Sequence, residues 1–335
     1  MQVRSKGQVR AFFRLMRIKH DRIEELKGEL DALRECKRLA PKAEQGCVFL
    51  LAPSQSGKTT AIKYYIEKYL ADELIANGLL DPEVDRQEFA ENQKKIIHVE
   101  LSSQSGVKSF ASDMLLSLGC LRYSHGTSNT MMQRAYDYFE KHGTELLIID
   151  EAQHVRGILR DEENKSNAAR ELTASNHTTN SMKLLMIRGV VPILFSGLPE
   201  VRDMLMADGQ IASRQQGELD FEPLVYTINE HRKMFEEFVK ALGRELEAAG
   251  LVESASDMFT DQVIECIYEV ACGRIGWAAR LIERGCEVAI GYKTKLQVPH
   301  LEIATDEFAI RNGLVDQNPF CKLLRSVRAP KGRGR

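Results

Sequence analysis

Ala52-Pro53-Ser54-Gln55-Ser56-Gly57-Lys58-Thr59-Thr60 is the stretch on which the fold turns. An apolar run from Cys47 to Ala52 leads into it and a helix-forming stretch from Ala61 to Leu70 leaves it, the strand, loop, helix order of a phosphate-binding loop. In such a loop the backbone N–H groups and the helix N-terminus face phosphate oxygens. Pro53, Ser54, Gln55, Ser56, Gly57, Lys58, Thr59 and Thr60 are therefore the candidate nucleotide-binding residues. Lys58 is placed to reach the β- and γ-phosphates of ATP, and the Thr59 hydroxyl is placed to ligate Mg²⁺. The pattern G-x-x-x-x-G-K-[ST] ordinarily begins with glycine, where this chain has Ala52; alanine fits there if its φ is negative. A chance Gly-Lys-Thr-Thr in a loop is the bland alternative.

Further along, Leu146-Leu147-Ile148-Ile149-Asp150-Glu151 is an apolar strand that ends in two carboxylates. Asp150 is the candidate second Mg²⁺ ligand, and Glu151 the candidate base that polarises an attacking water. Two acids ending a strand also suit an ordinary helix start, but their pairing with the loop favours the catalytic reading.

Four strand-like runs emerge, Cys47 to Ala52, Ile96 to Leu101, Leu146 to Ile149 and Val191 to Phe195, with Leu224 to Ile228 a possible fifth. The intervals are long enough for crossover helices, and near-continuous apolar strands suit a parallel sheet buried on both faces. Before them, Ile23, Leu26, Leu30 and Leu33 recur at helical spacing. After Asn229 the periodicity is helical throughout, so an α/β sheet domain is expected to be followed by a small all-helical domain. The expected divisions are a basic lead-in over 1–40, a core over 41–228, a helical lid over 229–313 and a basic tail over 314–335. Pro319, Pro330 and the Gly-Arg-Gly-Arg ending are expected to break helix.

Several further residues are candidates by position. Ser196 ends the fourth run, where a polar group can sense a γ-phosphate, or serve only as a turn residue. Arg214 stands in Ile-Ala-Ser-Arg, as an arginine finger for a neighbouring subunit or as a plain surface cation. Arg274 and Arg280, in Gly273-Arg274-Ile275-Gly276-Trp277-Ala278-Ala279-Arg280, are the candidate lid-side contacts to nucleotide, and Trp277 reads as lid core.

The composition sets the frame. With 335 residues, 43% of them hydrophobic, the chain can bury a sizeable core. No apolar run approaches the ~20 residues of a membrane span and no leader follows Met1, so a cytoplasmic protein without membrane contact is expected. The seven cysteines are scattered and never spaced C-x-x-C, which argues against zinc and disulfide frameworks. Net charge is −2, yet both ends are basic: Arg4, Lys6, Arg10, Arg14, Arg17 and Lys19 at one, Lys322, Arg325, Arg328, Lys331, Arg333 and Arg335 at the other. These are either solvated termini or phosphate contacts.

Taken in order, the phosphate loop, Ile-Ile-Asp-Glu-Ala-Gln-His, Phe-Ser-Gly-Leu-Pro-Glu, Ala-Ser-Arg, and Gly-Arg-Ile-Gly followed by Ala-Arg-Leu-Ile resemble the TniB/TnsC branch of AAA+ ATPases, regulators of DNA transposition. The resemblance spans roughly residues 20–295. It implies an AAA+ sheet sandwiched by helices with a helical lid, ATP hydrolysis with Mg²⁺, and assembly with copies of itself into hexameric rings or helical filaments on double-stranded DNA. It further implies a transposase partner and a TniQ-type target-selection partner. Related initiator-type ATPases place an arginine where this chain has Gly276, which leaves Arg274 and Arg280 both open. DNA contact in the family follows the second strand, so Ser105 and Lys108 become the candidate DNA-binding residues. Two other readings stay open: a helicase or clamp loader on the same core, and a nucleotide-gated scaffold or signalling switch that scarcely hydrolyses ATP.

Overall fold

The structure is a computed structural model that describes residues 5–101, 106–154 and 184–328, with side chains described as far as residue 324. Its internal contacts divide the chain into a sheet unit, Arg22–Ser54 with Lys58–Phe221, and a helical unit, Met1–Asp21 with Gln55–Gly57 and Glu222–Arg335.

Two helices precede the sheet, α1 (Lys6–Leu15) and α2 (Asp21–Leu39). The stripe read from Ile23 is the buried face of α2, where Ile23, Leu26, Leu30 and Leu33 are all enclosed. Next come β1 (Cys47–Leu51) and α3 (Lys58–Tyr64), which continues through a π-helical turn, Tyr65–Leu70, into α4 (Ala71–Ala76). The series continues with α5 (Arg86–Asn92), β2 (Ile96–Glu100), α6 (Val107–Ser117), α7 (Ser128–His142) and β3 (Leu146–Asp150). It ends with β4 (Ile193–Gly197), α8 (Arg202–Ala207), α9 (Gly209–Ala212) and β5 (Gln215–Glu218).

The strands form one parallel sheet in the order β2-β3-β4-β1-β5. β1, β3 and β4 are buried at every residue, as parallel strands covered on both faces must be. Alternation sends Phe49 and Leu51 into a core with Phe110, Met114, Phe139 and Phe195, and Val48 and Leu50 into another with Leu30, Ile62 and Phe221. Beneath the second core, the enclosed guanidinium of Arg34 in α2 bonds Glu73 Oε2 at 2.7 Å, Glu145 Oε2 at 2.8 Å and Tyr65 Oη at 2.9 Å. This charged knot ties α2 to α4 and to the entry of β3.

The fifth strand is not where apolar content placed it. Residues 224–228 form no strand: 226–227 are a turn, and Leu224 donates its N–H to Gly273 O at 2.9 Å within the helical unit. The strand that completes the sheet is the polar Gln215–Glu218, paired to β1 in parallel at the sheet edge. An edge strand needs only backbone pairing on one side, so it carries no apolar signature.

The helical unit consists of α1 with α10 (Asn229–Ala248), α11 (Ala255–Met258), α12 (Asp261–Ala271), α13 (Ile275–Gly291), α14 (Val298–Ala304) and α15 (Pro319–Arg328). Phe235, Leu242, Ile264, Leu281, Leu301 and Phe320 centre its core. Val9 of α1 joins that core, and Arg10 forks onto Glu287 of α13 at 2.6 and 3.2 Å. Pro319 opens α15 instead of breaking it, since the first helical position has no use for an N–H donor. Pro330 and the Gly-Arg-Gly-Arg ending lie outside the described residues. None of the seven cysteines, all among the described residues, is in a disulfide. Among the described residues no helix is long and apolar enough to cross a membrane.

Candidate nucleotide site

The parallel register decides what meets what. Leu51 pairs with Gly197 and Ile149 with Phe195, so the carboxyl ends of β1, β4 and β3 lie side by side. The loop after β1, Ser196 on β4, and Asp150 with Glu151 at the end of β3 therefore gather at one edge of the sheet, where ligands bind in open α/β folds.

Asp150 is the hub, 3% exposed. Its Oδ1 accepts from Ser196 Oγ at 2.7 Å and from the Glu151 N–H at 3.0 Å. Its Oδ2 accepts from Thr59 Oγ1 at 3.0 Å and lies 3.3 Å from His98 Nε2. Burial pushes this carboxyl up, but the hydrogen bonds from His98 and Ser196, the His98 charge and the Glu151 N–H outweigh it and hold the group at about 2. Asp150 is thus a carboxylate at neutral pH, with one oxygen beside the hydroxyl of Thr59.

Lys58 turns its ammonium onto the carbonyls of Ala52 at 2.6 Å and Pro53 at 3.0 Å. Ala52 is fully buried and absent from the positive-φ positions, so the alanine meets no steric penalty where the pattern has glycine. Positive φ falls instead at Gln55 (65°) and Gly57 (91°), which shape the loop tip. Ser56 Oγ is buried there without a hydrogen-bond partner. An orphan donor among loop N–H groups suits a phosphate oxygen, and the Thr59 hydroxyl beside a carboxylate is the hard-oxygen pair that Mg²⁺ takes when phosphates and water complete its shell.

The other candidates are distributed as follows. Arg214 sits at the opposite end of β1: its carbonyl accepts from the Cys47 N–H at 2.9 Å and its guanidinium bonds Glu44 at 2.8 Å. It takes no part in the loop after β1. Arg274 caps α13 with its buried Nε unpaired, whereas Arg280 is held by Glu283 at 2.6 Å. Gly276 donates its N–H to Gln55 O at 2.9 Å, and a Cβ at 276 would collide with that carbonyl, which explains why this position carries no side chain. Trp277 packs its ring on Phe308 at 5.4 Å, as lid core. Lys108 is exposed in the first turn of α6. Ser105 lies outside the described residues, as do Arg4 and the tail cations Lys331, Arg333 and Arg335.

Two residues at the site escaped sequence reasoning. His98 interrupts the apolar run Ile96-Ile97-His98-Val99, and that interruption was the signal for it. Gln153 follows the acid pair and contacts Glu151; nothing in the spacing announces it.

Residues 42–205 match the family model of an AAA domain. Among curated proteins none matches the chain. Solved structures that resemble it include the Aeropyrum pernix ORC2 protein in its ADP form, at TM-score 0.56 and 13% identity, covering 89% of this chain and 72% of that one. Cdc6p from Pyrobaculum aerophilum aligns at TM-score 0.56 and 11% identity over 89% and 70%. The Aeropyrum pernix ORC1 protein in complex with DNA aligns at 0.55 and 15% over 87% and 66%. The parallel five-stranded sheet with its surrounding helices and helical C-terminal region is thus an AAA+ P-loop fold.

Proposed function

We propose that this chain is a Mg²⁺-dependent ATPase that binds duplex DNA as an oligomer and regulates transposition, with hydrolysis setting how long the assembly persists. The observation that carries the ATPase half is the convergence of Thr59, Ser196 and the Glu151 N–H on Asp150 beside the phosphate loop. Lys58, now on loop carbonyls, turns to the β- and γ-phosphates of ATP, whose oxygens outcompete neutral carbonyls for an ammonium. Thr59 and Asp150 would hold Mg²⁺, which would supply neutralisation of phosphate charge. Glu151 accepts a proton as the water oxygen bonds to the γ-phosphorus, and the bond from that phosphorus to the bridging oxygen of ADP breaks. Ser196 holds Asp150 and, one residue from the β4 end, senses the γ-phosphate. Arg214, remote from its own subunit's loop, acts on a neighbour's nucleotide.

The DNA and transposition half rests on the motif order that resembles the TniB/TnsC branch, on Lys108 exposed at the start of α6, and on the basic chain ends. The Aeropyrum pernix ORC1 protein, of similar fold, was solved with DNA. A transposase and a TniQ-type selector are the partners this reading assigns. Electron microscopy of the protein with duplex DNA and a non-hydrolysable ATP analogue tests it: rings or filaments on DNA are expected. Monomers under those conditions, or ATP turnover indifferent to duplex DNA, would sink it.

A further inference from the structure

The short 3₁₀ turn Ala152–His154 that follows β3 carries Gln153, and its side chain makes two unlike bonds. Its Oε1 accepts the backbone N–H of Leu198 at 3.1 Å, and its Nε2 donates to Glu151 Oε2. A backbone N–H can only donate, so the Leu198 contact settles which end of the amide is oxygen and leaves the NH₂ end on the carboxylate. Leu198 directly follows β4, the strand whose Ser196 holds Asp150. One amide therefore links the second acid of the pair to the strand that positions the first.

The space around this link is closed. A Cβ at Gly197 would stand 2.9 Å from Gln153 Oε1 and 3.0 Å from the Ala152 nitrogen, so only glycine leaves the amide its place. Glu151 has φ of +56°, a left-handed backbone that costs a non-glycine residue energy and that the surrounding bonds must hold. Its N–H is fixed to Asp150 on one side and its carboxylate to Gln153 on the other.

Resting on the reading of Glu151 as the base, we infer that Gln153 is a positioning residue: it fixes the direction of the Glu151 carboxylate and couples that direction to β4. The amide occupies Oε2, so Oε1 is the oxygen left to take the proton from water. A base held in one rotamer needs no reorganisation as the proton moves, and misplacement on the order of 1 Å costs about 100-fold in rate.

The test is steady-state ATP hydrolysis by the full chain with duplex DNA, with affinity for an ATP analogue measured in parallel. Gln153→Ala removes both bonds. Gln153→Glu keeps the volume and the acceptor for Leu198 but replaces the donor with a group that repels Glu151. Both should lower kcat by at least tenfold while KM for ATP and analogue affinity stay within about twofold of wild type. Wild-type kcat in either variant while Glu151→Gln is inactive would overturn the role of Gln153 alone. Loss of analogue affinity in both would also overturn it, by assigning Gln153 to binding or folding. Wild-type turnover by Glu151→Gln would instead remove the reading of Glu151, and this inference with it.

Discussion

At the scale of single residues, the site separates charge from shape. Lys58→Ala removes the cation that the proposed function assigns to the β- and γ-phosphates, and charge-assisted hydrogen bonds are worth about 1.5–3 kcal/mol. ATP affinity should fall on the order of 10- to 100-fold, read by titration with a fluorescent analogue; unchanged affinity contradicts the site. Ala52 tests shape alone. It is buried without positive φ, so restoring the pattern's glycine should leave kcat within about twofold and lower stability by roughly 0.5–1 kcal/mol through backbone entropy. A large gain in kcat for Ala52→Gly would show that the loop is strained by alanine after all.

At the scale of elements, two charged clasps attach helices to their units. Arg34 is enclosed and serves Glu145, Glu73 and Tyr65, so Arg34→Met removes three bonds at once and leaves Glu145 and Glu73 to Arg38 and Lys95. A loss of about 3 kcal/mol in denaturant unfolding is expected, and a variant as stable as wild type would show that Arg38 and Lys95 satisfy Glu145 unaided. The second clasp titrates. Burial pushes the Glu287 carboxyl up, but the hydrogen bond from Arg10 and the charges of Arg284 and Arg10 outweigh it and hold it below its ordinary value. Because the folded value is depressed, the contribution is complete above the ordinary glutamate value of about 4.3 and is lost as pH falls through the lower folded value. Acid should therefore free α1 from α13, seen as faster exchange of α1 amides in wild type, whereas Glu287→Gln should show the faster exchange already at neutral pH. Equal α1 protection in the two proteins at neutral pH would contradict the clasp.

At the scale of the whole molecule, Arg214 and the chain ends matter only if copies assemble on DNA. Arg214 stands at the end of β1 away from its own phosphate loop, so Arg214→Ala should leave ATP affinity nearly intact and abolish DNA-stimulated turnover. Full turnover in that variant removes the role in trans. DNA binding should need the nucleotide and fall steeply with salt, since cations that meet phosphates release counterions whatever the base sequence. Lys108→Ala should weaken binding to all duplexes alike. Phe320 is buried and Asn318 bonds Glu302 and Asp306, so the tail is best tested by deleting residues 329–335, which spares both. Salt-insensitive or nucleotide-independent binding would contradict this account.

The sequence by itself determined the strand, loop and helix around Gly57, the two acids at the end of β3, the parallel sheet and the helical run after it, because each is written in contiguous residues: an apolar strand, a glycine turn, a helical period. Only the tertiary structure decided which polar strand closes the sheet, since Gln215–Glu218 is recruited by pairing to β1 and not by its own composition. It alone decided that His98 and Ser196 meet on Asp150 and that Gln153 joins Glu151 to Leu198. Those contacts cross between strands whose adjacency follows from sheet order, and strand order is set by how whole elements bury their faces, which no local stretch of residues encodes.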